Sequence, residues 1–188
     1  MTNWTRVVPT VIKALALLPN LLKLHLGKNS LGDDGVTAVA QDLHLVPRLK
    51  ELDLSGNYTT VRGASFLAQA LTRVPKLKKL YLGYNFLGDD GVTAVAQALH
   101  RVPRLEELSL FSNGIAATGA SSLAQALTTV PNLKKLCLSH NSLGDDGATA
   151  VAQALHRVPR LEEVELDLYG NEITATGASS LAQALTSV

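Results

Sequence analysis

The side chains with chemical capacity are few, and their spacing is regular. Paired carboxylates stand at Asp33 and Asp34, Asp89 and Asp90, and Asp145 and Asp146. Such pairs can do acid–base work or bind calcium. Each pair, however, recurs 56 residues after the last at the start of a helical pattern. There an aspartate accepts from free N–H groups and meets the positive end of the helix dipole, so helix capping is the expected role. Thr118 and Thr176 are expected to do the same in the intervening segments. His44, His100 and His156 share the 56-residue interval and fall at helix ends, where an imidazole suits the negative dipole end; zinc would need them gathered in one place. Cys137 is the only cysteine, which rules out an intramolecular disulfide and fits a reducing, cytoplasmic compartment. No nucleophile elbow, zinc-helix, phosphate-loop or dinucleotide motif is present. The expectation is a non-enzyme with no catalytic, cofactor or metal site.

Composition narrows the partner little. The 188 residues are 46% hydrophobic and 18% charged, a globular balance, with a net charge of +1. That charge gives no field strong enough to argue for nucleic acid, an anionic membrane or a basic partner, and neither nucleic acid nor a membrane is expected. Lys13 breaks the apolar stretch near the start and no small-residue cleavage site follows, so a secretory signal is not expected. Leu18-Pro19-Asn20 aligns with Val130-Pro131-Asn132, which makes residues 1–20 a capping half repeat.

These side chains are carried by an internal repeat. Leu77 to Arg104 and Leu133 to Arg160 differ at five places, and the same 28-residue frame begins at Leu21, Leu49, Leu77, Leu105, Leu133 and Leu161. Odd copies carry LGDDG and even copies ATGASSLAQALT or a variant of it, so the unit of duplication is 56 residues. Each copy opens on L-x-x-L-x-L-x-x-N-x-L, as in Leu105, Leu108, Leu110, Asn113 and Ile115. The alternating leucines predict a short strand with one buried face, and Val95, Ala96, Leu99 and Val102 recur at helical spacing. The pattern resembles the leucine-rich repeat, and the 28-residue length with a full helix resembles its ribonuclease-inhibitor-like subfamily and the repeat domains of NOD-like receptors. The resemblance implies an α/β fold: a right-handed horseshoe solenoid, parallel sheet on the concave face and helices on the convex face. It also implies that Asn29, Asn57, Asn85, Asn113, Asn141 and Asn171 form a buried amide ladder bonded to neighbouring loops.

Several positions set the register or depart from it. The third place reads Lys23, Glu51, Lys79, Glu107, Lys135 and Glu163, an alternation of sign that would oppose unlike charges across a parallel sheet. The sixth copy is two residues longer before its asparagine, so Glu163 or Glu165 could supply the last charge, with a bulge or shifted strand. Thr59 replaces Leu or Ile in the second copy, whose loop is expected to be the least regular.

Difference among the copies is concentrated on one surface. Of seven Tyr and Phe, six (Tyr58, Tyr81, Tyr84, Phe86, Phe111 and Tyr169) occupy places five, seven, eight and ten, where chance would put about one. Places five and seven project from the concave strand face; eight and ten continue into the adjoining loop. Exposed aromatics are typical interface anchors. The expected binding surface centres on Tyr81, Tyr84, Phe86 and Phe111, with His25, Lys28, Asp53 and His140 as a polar rim, and includes Ser109, Cys137 and Asp167. Its ligand is expected to be a protein or peptide. Six strands at about 4.8 Å make a face only roughly 25 Å wide, so loops must contribute to any standard interface. The helical pattern runs to Leu181, Leu185 and Val188 with no polar closing repeat, so a missing C-terminal cap and self-association through that end are the expectation. Alternative readings are an engineered or truncated scaffold without a natural ligand, and a GTPase-activating or enzyme-inhibiting repeat protein.

Overall fold

Three-residue strands carry the repeat because each puts one leucine inward between two outward side chains. A computed structural model describes residues 17–155 and 165–186. Its strands are β1 (Lys23–His25), β2 (Glu51–Asp53), β3 (Lys79–Tyr81), β4 (Glu107–Ser109), β5 (Lys135–Cys137) and β6 (Glu165–Asp167). They form one parallel sheet in sequence order. Six helices alternate with them: α1 (Gly32–Asp42), α2 (Val61–Ala70), α3 (Gly88–Ala98), α4 (Ala117–Leu127), α5 (Gly144–Leu155) and α6 (Ala175–Thr186). The result is an α/β horseshoe solenoid, with the sheet concave and the helices convex. The core between the layers is a continuous file of leucines, among them Leu52, Leu80, Leu108 and Leu136 on the strands, with Leu67, Leu99 and Leu127 behind them. The capping half repeat, His156, Leu161 and Glu163 lie largely or wholly outside the described residues.

Register is constant along the sheet: Lys23 lies opposite Glu51, Glu51 opposite Lys79, Lys79 opposite Glu107, and Glu107 opposite Lys135. Lys135 then lies opposite Glu165, so the two extra residues of the sixth repeat precede its strand and Glu165 ends the charge series. The asparagines form the expected ladder. Asn57 donates to the carbonyls of Leu26 and Leu54, both at 2.9 Å, and accepts from the Asn29 and Leu31 N–H groups at 3.1 and 3.2 Å. The second loop is as regular as the rest, contrary to the sequence expectation. The Thr59 N–H reaches Asn85 at 2.9 Å and Thr59 is buried like the Leu or Ile it replaces. Backbone bonding decides the loop; the substitution leaves only the Thr59 hydroxyl buried without a partner.

The first aspartate of each pair caps a helix, but that of the following repeat, while Asp34 pairs with Arg62. Asp33 accepts from the Thr60 and Gly63 N–H groups at 2.8 and 3.0 Å and from the Thr60 hydroxyl at 2.7 Å, which caps α2. Asp89 takes the Ala116 N–H at 2.7 Å and Asp145 the Thr174 N–H at 2.7 Å. Their own helices begin after Leu31 and Leu87 without a side-chain cap. Gly63 makes room for this reach, since a Cβ there would lie 2.7 Å from the Asp33 carboxylate. Burial pushes the Asp33 pKa up, but the bonds from Thr60 and Gly63 outweigh it and hold the group below the ordinary 3.8. Thr118 and Thr176 do not cap. Two places earlier, Thr60 accepts from Arg62 N–H in the second repeat and Thr174 from Thr176 N–H in the sixth, while Ala116 in the fourth gives no side-chain cap. At the other helix end, Arg73 and Arg101 reach back to carbonyls ending the previous helix, such as Gln41 at 2.6 Å and Ala68 at 3.2 Å. His44 and His100 donate Nδ1–H to the carbonyls of Gln41 and Gln97, at 2.8 Å each, in keeping with the dipole reading.

Candidate protein-binding surface

The outward side chains fall into two neighbouring strips. On the strands, places three and five answer one another. Lys23 pairs with Glu51 at 3.0 Å, Lys79 with Glu107 at 2.6 Å and Lys135 with Glu165 at 2.6 Å. The Tyr81 hydroxyl donates to Glu107 at 2.5 Å, and His25 Nε2 lies 2.7 Å from Glu51. Cys137 Sγ contacts Ser139 Oγ at 3.2 Å and donates to Asp167 at 3.4 Å. Asp53 accepts from the Ser55 N–H at 2.9 Å, and Ser109 lies half-buried on β4. These contacts fix the titration of the strip. Burial raises the Glu51 and Glu107 pKa values, yet hydrogen bonds from Lys23 and His25, and from Lys79 and Tyr81, bring both below the usual range. The bond to Glu107 raises Lys79, while burial and then Glu107 push the Tyr81 phenol well up. Asp167 is lowered chiefly by the Tyr169 N–H.

The second strip lies in the loops that leave the strands. Tyr84 meets Phe111 edge to face with ring centres 4.4 Å apart, Phe111 meets His140 at 5.0 Å, and His140 meets Tyr169 at 5.1 Å. Tyr58 and Phe86 stack beside this ladder, 6.0 Å apart and 17° from parallel. Between them Tyr58, Tyr84 and Phe86 wall an open cleft of about 440 Å³, to which Lys28, Ser30 and Ser112 add polar groups. Tyr58, Tyr84, Phe86 and Tyr169 remain more than half exposed, an unusual density of bare aromatic surface.

Backbone geometry sharpens this strip. The eighth place of every described repeat has positive φ: Gly56 and Gly170 occupy it in two, but Lys28 (59°), Tyr84 (53°), Ser112 (52°) and His140 (54°) in the others. A residue with a Cβ is disfavoured there by about 1–2 kcal/mol relative to the right-handed conformation, and glycine is not. Tyr84 and His140 therefore hold a conformation the frame satisfies more cheaply with glycine. Strain retained at exposed side chains is typical of a working surface.

The structure thus gathers Lys28, Tyr58, Tyr84 and Phe86 at one cleft and extends it through Phe111, His140 and Tyr169. It sets Tyr81, His25, Asp53, Ser109, Cys137 and Asp167 apart, on the strand strip. Sequence reasoning placed Tyr81 in the patch because it counted a ring at an outward place. It did not anticipate that the hydroxyl would be turned to Glu107 by the charge series. Ser30 and Ser112 were missed; the only signal was that they stand at places ten and eight, where the copies differ most.

The leucine rich repeat family model matches residues 18–40, 75–96, 104–124, 131–152 and 164–182. It passes over the repeat that begins at Leu49, whose strand and asparagine are nevertheless in register. Among the solved structures that share the fold are two of cytoskeletal name. The tropomodulin C-terminal domain of Caenorhabditis elegans is 12% identical with a TM-score of 0.63, over 78% of this chain and 92% of that one. The actin-binding site 2 of leiomodin-1 is 14% identical with a TM-score of 0.56, over 93% of this chain and 85% of that one. No curated protein matches in sequence. Among the described residues no helix is long and apolar enough to cross a membrane. With the repeat model covering more than half of the chain and every described copy supplying strand, asparagine and helix in register, the protein belongs to the leucine-rich repeat family.

Proposed function

We propose that this protein is a recognition module of the ribonuclease-inhibitor-like kind, working in the cytoplasm, which holds a protein or peptide partner along the loop strip beside the concave sheet. The observation that carries the reading is the run of rings Tyr84, Phe111, His140 and Tyr169, two of them at a left-handed place that other repeats fill with glycine. Aromatic side chains bury large area at small entropic cost, and rings already fixed by edge-to-face contact lose less on binding. The strand strip has the opposite character, since its charged groups are matched within the chain. Cytoplasmic placement rests on the single thiol, Cys137.

The test is capture from a source lysate by the wild-type chain and by a variant carrying Tyr84→Gly and His140→Gly. These are residues the frame itself uses at the same place. Partners retained by the wild type and lost by the variant, with unchanged thermal unfolding, are expected. Equal capture by both would overturn the reading. Actin, named for the leiomodin-1 domain, is a defined arm of the same assay.

A further inference from the structure

The period of the rings narrows the recognition reading on which this inference rests. We propose that the ligand is a proline-rich segment in the polyproline II conformation, laid along the ring ladder with an acidic residue beside Lys28. Rings of one kind recur at every second repeat: Tyr84 and His140 at place eight, Phe111 and Tyr169 at place seven. Parallel strands lie about 4.8 Å apart, so equivalent rings recur at about 9.6 Å. Consecutive ring centres, 4.4 to 5.1 Å apart, keep to that spacing.

Few linear ligands share this period. A polyproline II helix rises about 3.1 Å per residue with three residues per turn, so every third residue returns to one side at about 9.3 Å. The mismatch is only about 0.3 Å per turn. An extended strand returns a side chain to one face at about 6.6 Å and misses the period by about 3 Å, while two turns of an α-helix span about 10.8 Å and overshoot by about 1.2 Å, roughly four times the polyproline II mismatch. Prolyl rings pack well on aromatic faces, and the ligand enters already ordered. Its backbone carbonyls make no internal hydrogen bonds, which leaves them for the exposed Tyr58 and Tyr84 and for Ser30 and Ser112 at the cleft.

Charge fixes the end. Lys28 lines the cleft and has no ion-pair partner among the described residues, whereas Lys23, Lys78, Lys79 and Lys135 are all paired with glutamates. An unmatched ammonium at the edge of an aromatic groove selects a carboxylate.

The probe is a fluorescein-labelled peptide of three Pro-Pro-Ala triplets with aspartate at both ends, measured by fluorescence anisotropy against the full chain. Saturable binding is expected, about tenfold or more tighter than for a control with glycine in place of every proline. Tyr84→Gly with His140→Gly should weaken it by a similar factor. Lys28→Glu should weaken the aspartate-flanked peptide and strengthen one flanked by lysines. Equal binding of the glycine control, indifference to the ring substitutions, absence of saturable binding, or preference for a single-stranded oligothymidine would each overturn the proposal. If the peptide fails while lysate capture still depends on the same rings, the recognition reading stands and only the ligand class falls.

Discussion

The strand strip and the loop strip run side by side over the same repeats and use their outward side chains differently. On the strands, lysine meets glutamate across each two-repeat unit and Tyr81 spends its hydroxyl on Glu107. In the loops, rings touch rings, Tyr58, Tyr84, Phe86 and Tyr169 stay more than half exposed, and Tyr84 and His140 sit on backbone that favours glycine. Matched charges hold neighbouring repeats in step, because a slip of one repeat would set like charges side by side. Unmatched aromatic surface does nothing comparable for the fold. The contrast separates residues that assemble the solenoid from residues available to a partner.

Substitutions can break the comparison at graded cost. The largest loss of stability is expected from Asn113→Ala, because Asn113 donates to the carbonyls of Leu82 and Leu110 at 2.9 and 3.0 Å and accepts from Leu87 N–H. Leaving such buried groups unpaired costs about 1–3 kcal/mol each, so chemical denaturation should show a loss of about 3 kcal/mol. Asp33→Ala comes next, at about 2 kcal/mol, because one carboxylate caps the helix of the next repeat. That contribution depends on pH with a definite sign. The folded Asp33 pKa lies below 3.8, so the stabilisation is complete above that pH and is lost as pH falls through the lower folded value. Melting curves for wild type and Asp33→Asn should therefore converge in acid; a constant difference would refute the cap.

Within the strand strip, Lys79→Glu places three glutamates in adjacent positions, yet the Lys79–Glu107 pair is only half-buried. A loss of about 1 kcal/mol or less is expected, visible as a small fall in melting temperature that added salt reduces. An unchanged or raised melting temperature would remove the register role. Smallest of all is the stability effect of Tyr84→Gly, within about 1 kcal/mol of zero, since relief of the left-handed backbone offsets the lost contact with Phe111. A loss like that of Asn113→Ala would show that the ring is a structural member.

The architecture was legible because it rests on residues repeated in register. Leu80, Leu108 and Leu136 announced the strands, Asn85 and Asn113 the ladder, and Val95, Ala96 and Leu99 the helix behind them. What escaped was the direction of a side chain between repeats. Asp33 lies in the first turn of its own helix, and the sequence places it there as that helix's cap; only the stacking of repeats shows that Thr60 and Gly63 receive it. The same limit applies to Tyr81, where ring type suggested a patch and a hydroxyl bond to Glu107 took it elsewhere. The six-copy frame supplied the aromatic count, but ring-to-ring contact required the geometry. Place eight was readable in principle, for Gly56 and Gly170 mark a conformation in which Tyr84 and His140 stand out.

The measurement that bears most directly on the contrast between strips compares two variants of equal size in one partner-capture assay, each checked by thermal unfolding. One carries Tyr84→Gly, Phe111→Ser, His140→Gly and Tyr169→Ser, residues already used at those places in other repeats. The other carries Lys79→Ala, Tyr81→Phe, Glu107→Ala and Lys135→Ala on the strands. Capture should vanish in the loop variant with little change in melting temperature, and persist in the strand variant despite a lower one. Capture that survives loss of the four rings and disappears with the strand charges would contradict the account.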